Sequence, residues 1–147
     1  MIITVTPPSP HEKDQWLPLW RGYLDFYRTD LSEEITDLTW RRCFDLHEPL
    51  YMLVARHDGA WRGFAILVLH RSTWAKEDYC YLEDLFTAPE ARGQGVATAL
   101  IEAGADLARA YGCSRYYWLT EDSNHTAQVL YDKIGRKSGF IQYVKPL

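Results

Sequence analysis

With 147 residues, 47% hydrophobic and 24% charged, the chain fits one globular domain, residues 1–147, large enough to close a core without disulfides or a structural metal. A net charge of −4, with no Lys/Arg run longer than a pair such as Arg41-Arg42, argues against nucleic acid as a partner. The longest apolar run, residues 64–69, is too short to span a bilayer, and residues 1–5 lack the basic segment and apolar stretch of a secretory leader, so a cytoplasmic protein with no membrane partner is expected.

Residues 2–6 alternate and predict a short strand, stopped by Pro7-Pro8. Trp16, Trp20, Tyr23, Leu24 and Tyr27 recur at steps of three and four, which predicts an amphipathic helix with Pro18 in its first turn. A second helix is predicted over residues 32–46. Ser32 is its N-cap, Glu33 and Glu34 sit at the positive end of the dipole, and Ile35, Leu38, Arg42 and Leu46 share its inner stripe. Two strands, residues 51–56 and 61–70, flank the turn His57-Asp58-Gly59-Ala60. A long strand at 79–87 is broken by Ala88-Pro89-Glu90-Ala91.

Residues 94–111 then read as a helix with Ala97, Leu100, Ile101, Gly104, Ala108 and Tyr111 on one face, and Gly112 as its stop. A strand at 115–120, a helix at 124–136 and a strand at 140–144 complete the order. The helix carries Ala127, Leu130, Tyr131 and Ile134 on one face. The strand–helix–strand unit over residues 79–120 makes a parallel, right-handed crossover, whereas the hairpin before it is antiparallel. A mixed sheet with helices on both faces follows.

Aromatic residues make up 14% of the chain, with 6 Trp and 10 Tyr. They either build a large aromatic core or line a site for a cationic or flat ligand. Cys43, Cys80 and Cys113 form no C-x-x-C pair and cannot all be joined, as expected in a reducing compartment. His11, His47, His57, His70 and His125 lack the spacing of metal ligands, so no metal is expected.

The most informative stretch is Arg92-Gly93-Gln94-Gly95-Val96-Ala97, between a strand and a helix N-terminus. Glycines allow close backbone approach, and the unpaired N–H groups of the first helical turn favour an anion such as a pyrophosphate. Arg92 adds a charged donor. The string GxxxxGK[ST] is absent, and Thr98 stands where a dinucleotide fingerprint needs its third glycine. An ordinary Gly-containing turn before a helix is the alternative.

Arg92-x-x-Gly95-x-Ala97, after a strand and opening a long helix, resembles the acyl-CoA signature of the GNAT superfamily of N-acetyltransferases. Tyr81-Leu82-Glu83-Asp84-Leu85-Phe86 resembles the preceding strand in its polyamine (diamine/spermidine) acetyltransferase-like members. Asn124, seven positions before Tyr131, repeats a spacing of the family's next helix. Tyr131-Asp132-Lys133 and Ser138-Gly139-Phe140 resemble the segments that close such domains.

The resemblance implies a mixed, mostly antiparallel sheet flanked by about four helices, with two splayed parallel strands forming the CoA cleft. It implies that Leu85, Phe86 and Thr87 hold the pantetheine arm of acetyl-CoA. Arg92, Gly93, Gln94, Gly95, Val96, Ala97 and Thr98 would hold the pyrophosphate, with Asn124, Tyr131 and Lys133 also near the cofactor. The sequence stops at Leu147, where many members have a further strand, which leaves room for a partner subunit and a homodimer.

Amine acetylation needs a proton acceptor, a donor to the thioester oxygen and a proton source for the departing sulfur. The resemblance assigns Glu83 as base and Tyr131 as acid, with a backbone N–H near Leu85 as oxyanion donor. On a regular strand Glu83 and Asp84 point to opposite faces, and only a bulge would bring both into one cleft. Asp84 is therefore read as structural. The expected activity is acetyl transfer from acetyl-CoA to a small primary amine such as a polyamine or amino acid. A protein or peptide amine, or a CoA-binding sensor without turnover, are the alternatives.

Overall fold

The computed structural model describes residues 2–147. Five strands form one sheet in the order β1-β2-β3-β4-β5. β1 (Thr4–Thr6), β2 (Leu50–His57), β3 (Ala60–His70) and β4 (Tyr79–Thr87) pair antiparallel. β5 (Arg115–Tyr117) lies parallel to β4. Between them run α1 (Lys13–Phe26) and α2 (Glu33–Arg42), then α3 (Val96–Ala110) and, after β5, α4 (His125–Ile134).

The expected turns close the elements. Asp58 and Gly59 both take positive φ (52° and 77°), the two-residue turn whose twist matches a right-handed hairpin. The Ser32 hydroxyl accepts from the Ile35 N–H at 3.2 Å and caps α2. At the end of α3, Gly112 has φ 74°, and the Cys113 N–H donates to the Ala108 carbonyl at 2.9 Å, closing the helix in a Schellman motif.

Two apolar layers sandwich the sheet. Trp16, Trp20, Trp40, Phe64 and Phe86 fill the side under α1 and α2, with Trp16 against Trp20 at 5.0 Å and Trp40 at 5.2 Å between ring centroids. Leu67, Leu82, Leu100 and Ile101 fill the side under α3. The tryptophans at 16, 20, 40 and 61 are thus core residues, one of the two uses open to the aromatic content.

Several boundaries differ from the sequence reading. α1 begins at Lys13, and Pro18 sits inside it beyond the first turn. It is tolerated although it leaves the Asp14 carbonyl without an i+4 donor. α2 stops at Arg42 rather than residue 46, because Asp45 turns the chain by accepting from the His47 N–H at 2.9 Å. Leu46 is consequently fully exposed, and the buried stripe of α2 is Thr36 and Trp40 instead of Ile35 and Leu46. β5 ends at Tyr117, three residues early, and residues 140–144 form no strand. Both losses have one cause. β-structure needs a ladder partner, and neither segment has one within the chain.

Candidate active site

The geometry of the site starts from one extra residue. Phe64, Ala65 and Ile66 on β3 face Phe86, Leu85 and Asp84 on β4, but Leu67 faces Leu82. Glu83 is the residue left over, and β4 bulges there. The bulge resets the alternation, so that Glu83 and Asp84 line the same cavity rather than opposite faces. This cavity, about 520 Å³, lies between β4 and the helices α1 and α2, with Tyr23, Tyr27, Ile35 and Arg42 also in its wall.

Asp84 is half-buried, and burial pushes its carboxyl up to about 7; the adjacent Glu83 charge adds to this, while the Tyr23 hydroxyl within hydrogen-bonding reach pulls it back. Glu83 is exposed to the cavity. Burial and the two carboxylates hold the phenols of Tyr23 and Tyr81 above the usual tyrosine range. Burial, with Asp84 for Tyr27 and Glu83 for Tyr117, does the same for those two phenols. All four are neutral at physiological pH. Tyr81 and Tyr117 stack at 4.9 Å. The site is therefore an acidic pair inside an aromatic wall, which favours a cation both by charge and by the faces of the rings.

One hydrogen-bonded chain leads out of this wall. His70 Nδ1 lies 2.7 Å from the Arg71 carbonyl oxygen, which can only accept, so Nδ1 carries the proton. Nε2 is then the acceptor, and the Tyr117 hydroxyl donates to it at 2.7 Å.

On the other side of β4 the geometry fits acetyl-CoA. β4 and β5 pair only from Tyr79–Arg115 to Tyr81–Tyr117; beyond Tyr81 no further pairs form. The backbone of Leu85, Phe86 and Thr87 thus borders a gap rather than another strand. At its end Gly93 and Gly95 have φ 76° and 86°, and a Cβ at either would meet nothing within 4 Å. The glycines are needed for backbone conformation, and they leave an open surface. The first paired N–H of α3 is that of Ala99, donating to the Gly95 carbonyl at 3.0 Å. Those of Val96, Ala97 and Thr98 are left to an anion. Gln94 Nε2 reaches back to the Glu90 carbonyl at 3.4 Å. The Arg92 guanidinium lies 5.7 Å from both the Phe26 and Phe86 rings, which ties the loop to α1 while leaving it exposed to a phosphate.

Tyr131 stands half-buried on α4, its ring 5.6 Å from Trp118. Burial, helped by Tyr27, holds its phenol above the usual range, so it carries a proton to give. The Asn124 side chain accepts from the Ala127 N–H at 3.3 Å and caps α4, the use that competed with a cofactor contact. Lys133 is exposed in the last turn of α4. Among the described residues no three His, Cys, Asp or Glu side chains converge as metal ligands.

Tyr23, Tyr27 and Arg42 join the cavity without having been singled out from sequence as site residues. Tyr23 and Tyr27 share the helical spacing of the core tryptophans, and nothing in that periodicity separates a ring at the cavity from one in the core.

Residues 15–135 match the family model "Acetyltransferase (GNAT) family". The D-amino-acid N-acetyltransferase HPA3 of Saccharomyces cerevisiae is 32% identical over 143 residues, 96% of this chain and 89% of that protein. A thialysine N-epsilon-acetyltransferase of Caenorhabditis elegans is 40% identical over 133 residues, 90% of this chain and 80% of that one. Among solved structures, AAC(6')-Iy in complex with the bisubstrate analog CoA-S-monomethyl-acetylneamine superposes with a TM-score of 0.85 at 16% identity, covering 100% of this chain and 99% of that chain, a likeness of fold.

Proposed function

The chain belongs to the GNAT acetyltransferase family, as an acetyl-CoA-dependent N-acetyltransferase that moves acetyl groups to amines; from that premise we propose that its acceptor is a small primary amine of the amino-acid type. The observation that carries the proposal is the pairing of Glu83 and Asp84 on one wall of a cavity that also holds Arg42. The carboxylates suit an ammonium, and the guanidinium suits a carboxylate on the same molecule. A polyamine would gain from the first and be repelled by the second. The yeast relative's name, a D-amino-acid acetyltransferase, supports this choice. The free thiols of Cys43, Cys80 and Cys113 fit a reducing, cytoplasmic setting, which belongs to the same proposal.

When bound, acetyl-CoA supplies an acetyl thioester. The residues do the rest. Glu83, at the bulge, takes the proton that the acceptor nitrogen must lose, directly or through a water. A backbone N–H of β4 near Leu85 donates to the carbonyl oxygen as it gains charge. As the new C–N bond replaces the C–S bond, Tyr131 gives its proton to the leaving sulfur and regains one from solvent. The amides of Val96, Ala97 and Thr98 fix the pyrophosphate, and Asp84 with the tyrosines orients the acceptor.

The test is a panel of L- and D-amino acids, polyamines and N-terminal peptides incubated with acetyl-CoA, with thiol release as the readout. Amino acids should be turned over with the highest kcat/KM. Arg42→Ala should raise KM for them at least about tenfold and leave polyamines unchanged or better. Preferred turnover of peptides would replace the acceptor assigned here, and CoA binding with no thiol release on any amine would make the chain a sensor.

A further inference from the structure

A second cavity, of about 490 Å³, adjoins the acceptor cavity. Phe26, Tyr27 and Arg28 at the end of α1 form one wall, and Glu121, Ser123 and Asn124 ahead of α4 form the other. Tyr27 lines both cavities. One of them holds the carboxylates Glu83 and Asp84, and the other abuts the loop that leads into the helix of Tyr131. With Glu83 as base and Tyr131 as acid, the attacking nitrogen and the leaving sulfur come from these two sides. Tyr27 therefore borders the place where the reacting carbon has to lie.

The fold fixes this ring and leaves its hydroxyl free. α1 closes in a Schellman motif, in which the Thr29 N–H donates to the Leu24 carbonyl at 2.9 Å and the Arg28 N–H to the Asp25 carbonyl at 3.0 Å. Arg28 supplies the left-handed residue of that motif, with φ 50°, where glycine is the usual choice. Tyr23 and Phe26 meet the Tyr27 ring in T-shaped contacts, each at 5.1 Å between centroids. The backbone of Tyr27 is bonded, its N–H to the Tyr23 carbonyl and its carbonyl to the Thr29 hydroxyl, both at 3.2 Å. Its own hydroxyl has no hydrogen-bond partner among the described residues.

Burial, with Glu121 and then Asp84, holds the Tyr27 phenol above the usual tyrosine range, so its proton stays on it. The same phenol helps to hold that of Tyr131 up, which puts the two within electrostatic reach of each other. A hydroxyl that keeps its proton is a donor and not a base. As the nitrogen adds, the thioester carbonyl becomes a tetrahedral oxyanion, which takes more than one donor. The backbone N–H near Leu85 reaches it from β4. Tyr27 faces that strand across the acceptor cavity, from α1.

We propose that Tyr27 is a catalytic residue, the second hydrogen-bond donor to the carbonyl oxygen during acetyl transfer. Its O–H bonds the oxygen as negative charge builds there, opposite the β4 amide, and its proton is not transferred. When the C–S bond breaks, the carbonyl re-forms, the sulfur takes its proton from Tyr131, and the bond from Tyr27 weakens again. The inference rests on the roles given to Glu83 and Tyr131.

The test uses the full chain with acetyl-CoA and the amine of the acceptor panel that it acetylates fastest, in rapid-quench single turnovers that separate acetyl transfer from product release. Tyr27→Phe should slow transfer about 10- to 100-fold. The acceptor concentration at half-maximal rate, the Kd for CoA by calorimetry and the Tm should all stay close to wild type. Tyr27→3-fluorotyrosine, whose hydroxyl is the stronger donor, should restore the rate at neutral pH to at least that of wild type. The deficit of Tyr27→Phe should be the same with acetyl-CoA and with an acetyl ester of a more acidic thiol, whereas that of Tyr131→Phe should shrink. An unchanged rate in Tyr27→Phe, a loss confined to acceptor half-saturation, no rescue by fluorotyrosine, or a deficit that shrinks with thiol acidity would each overturn the assignment. Glu83→Gln is measured alongside. Normal transfer in that variant removes the base that the inference rests on, normal transfer in Tyr27→Phe alone removes only the role of Tyr27, and no transfer to any amine overturns both.

Discussion

Glu83 and Asp84 are neighbours in sequence, yet both open into the same cavity, because β4 carries one residue more than β3 between Ile66 and Leu67. Adjacent carboxylates on one wall cannot ionise with equal ease. Asp84 is the more buried of the two, and burial pushes its carboxyl up to about 7, whereas Glu83 stands exposed in the same cavity.

Glu83→Gln should keep the shape of the bulge and remove the proton acceptor. We expect kcat/KM for the acceptor to fall by roughly tenfold to a thousandfold, with the Kd for CoA unchanged by calorimetry. Tyr131→Phe should show the same split, with its deficit reduced when a more acidic acyl thiol replaces CoA. Loss of CoA affinity in either variant would assign these residues to binding.

Asp84 makes two pH effects separable. Its folded pKa is raised from 3.8 to about 7, so its stabilising contribution is complete below the unfolded value and is lost as pH rises through about 7. Asp84→Asn should therefore raise Tm at pH 8 and change it little at pH 4, a difference of at most about 4 kcal/mol. In the same window the wild-type KM for a cationic acceptor should fall with rising pH, as Asp84 gains its charge. The Asn variant should flatten that dependence in a KM profile from pH 5.5 to 8.5.

Gly95→Ala tests the proposed pyrophosphate cradle against ordinary helix capping. The residue has φ 86°, and its Cβ would project into open space. The strain costs about 1–2 kcal/mol. The methyl would also stand where the proposed cradle takes the cofactor, so the Kd for CoA should rise at least about tenfold, beyond what the strain predicts. Gly112→Ala, with φ 74° at the far end of α3, is the control. It should lower Tm similarly and leave CoA binding intact.

Gly104→Ala tests the packing of α3 on the strand that splays. A Cβ there would fall against the Tyr116 ring and hydroxyl, which donates to the Ile101 carbonyl at 3.0 Å. Overpacking plus the lost bond should cost about 1–3 kcal/mol in denaturant titration. Tyr116→Phe in the same background should recover only part of it, because the ring carbon also crowds the site.

Much of the fold was legible in the chain. Spacing marked the faces of α1 and α3, Asp58-Gly59 marked the hairpin, and Gly93 and Gly95 before Val96 marked the loop that opens α3. What alternation misjudged was the strand that matters most. A period of two assigns Glu83 and Asp84 to opposite faces, and a bulge leaves no trace in composition. Likewise Tyr23 and Trp16 have the same helical periodicity, although one meets the cavity and the other only the core.

What the sequence by itself determined was local: helix faces, the Ser32 cap, the Asp58-Gly59 turn, the Gly112 stop and a glycine loop opening α3, since these depend on φ preferences and on hydrogen bonds between residues a few positions apart. The tertiary structure decided which side chains share a cavity, how far β4 and β5 run together and why residues 140–144 stay out of the sheet. Those outcomes depend on register and on the availability of a ladder partner, and both are relations between segments distant in the chain.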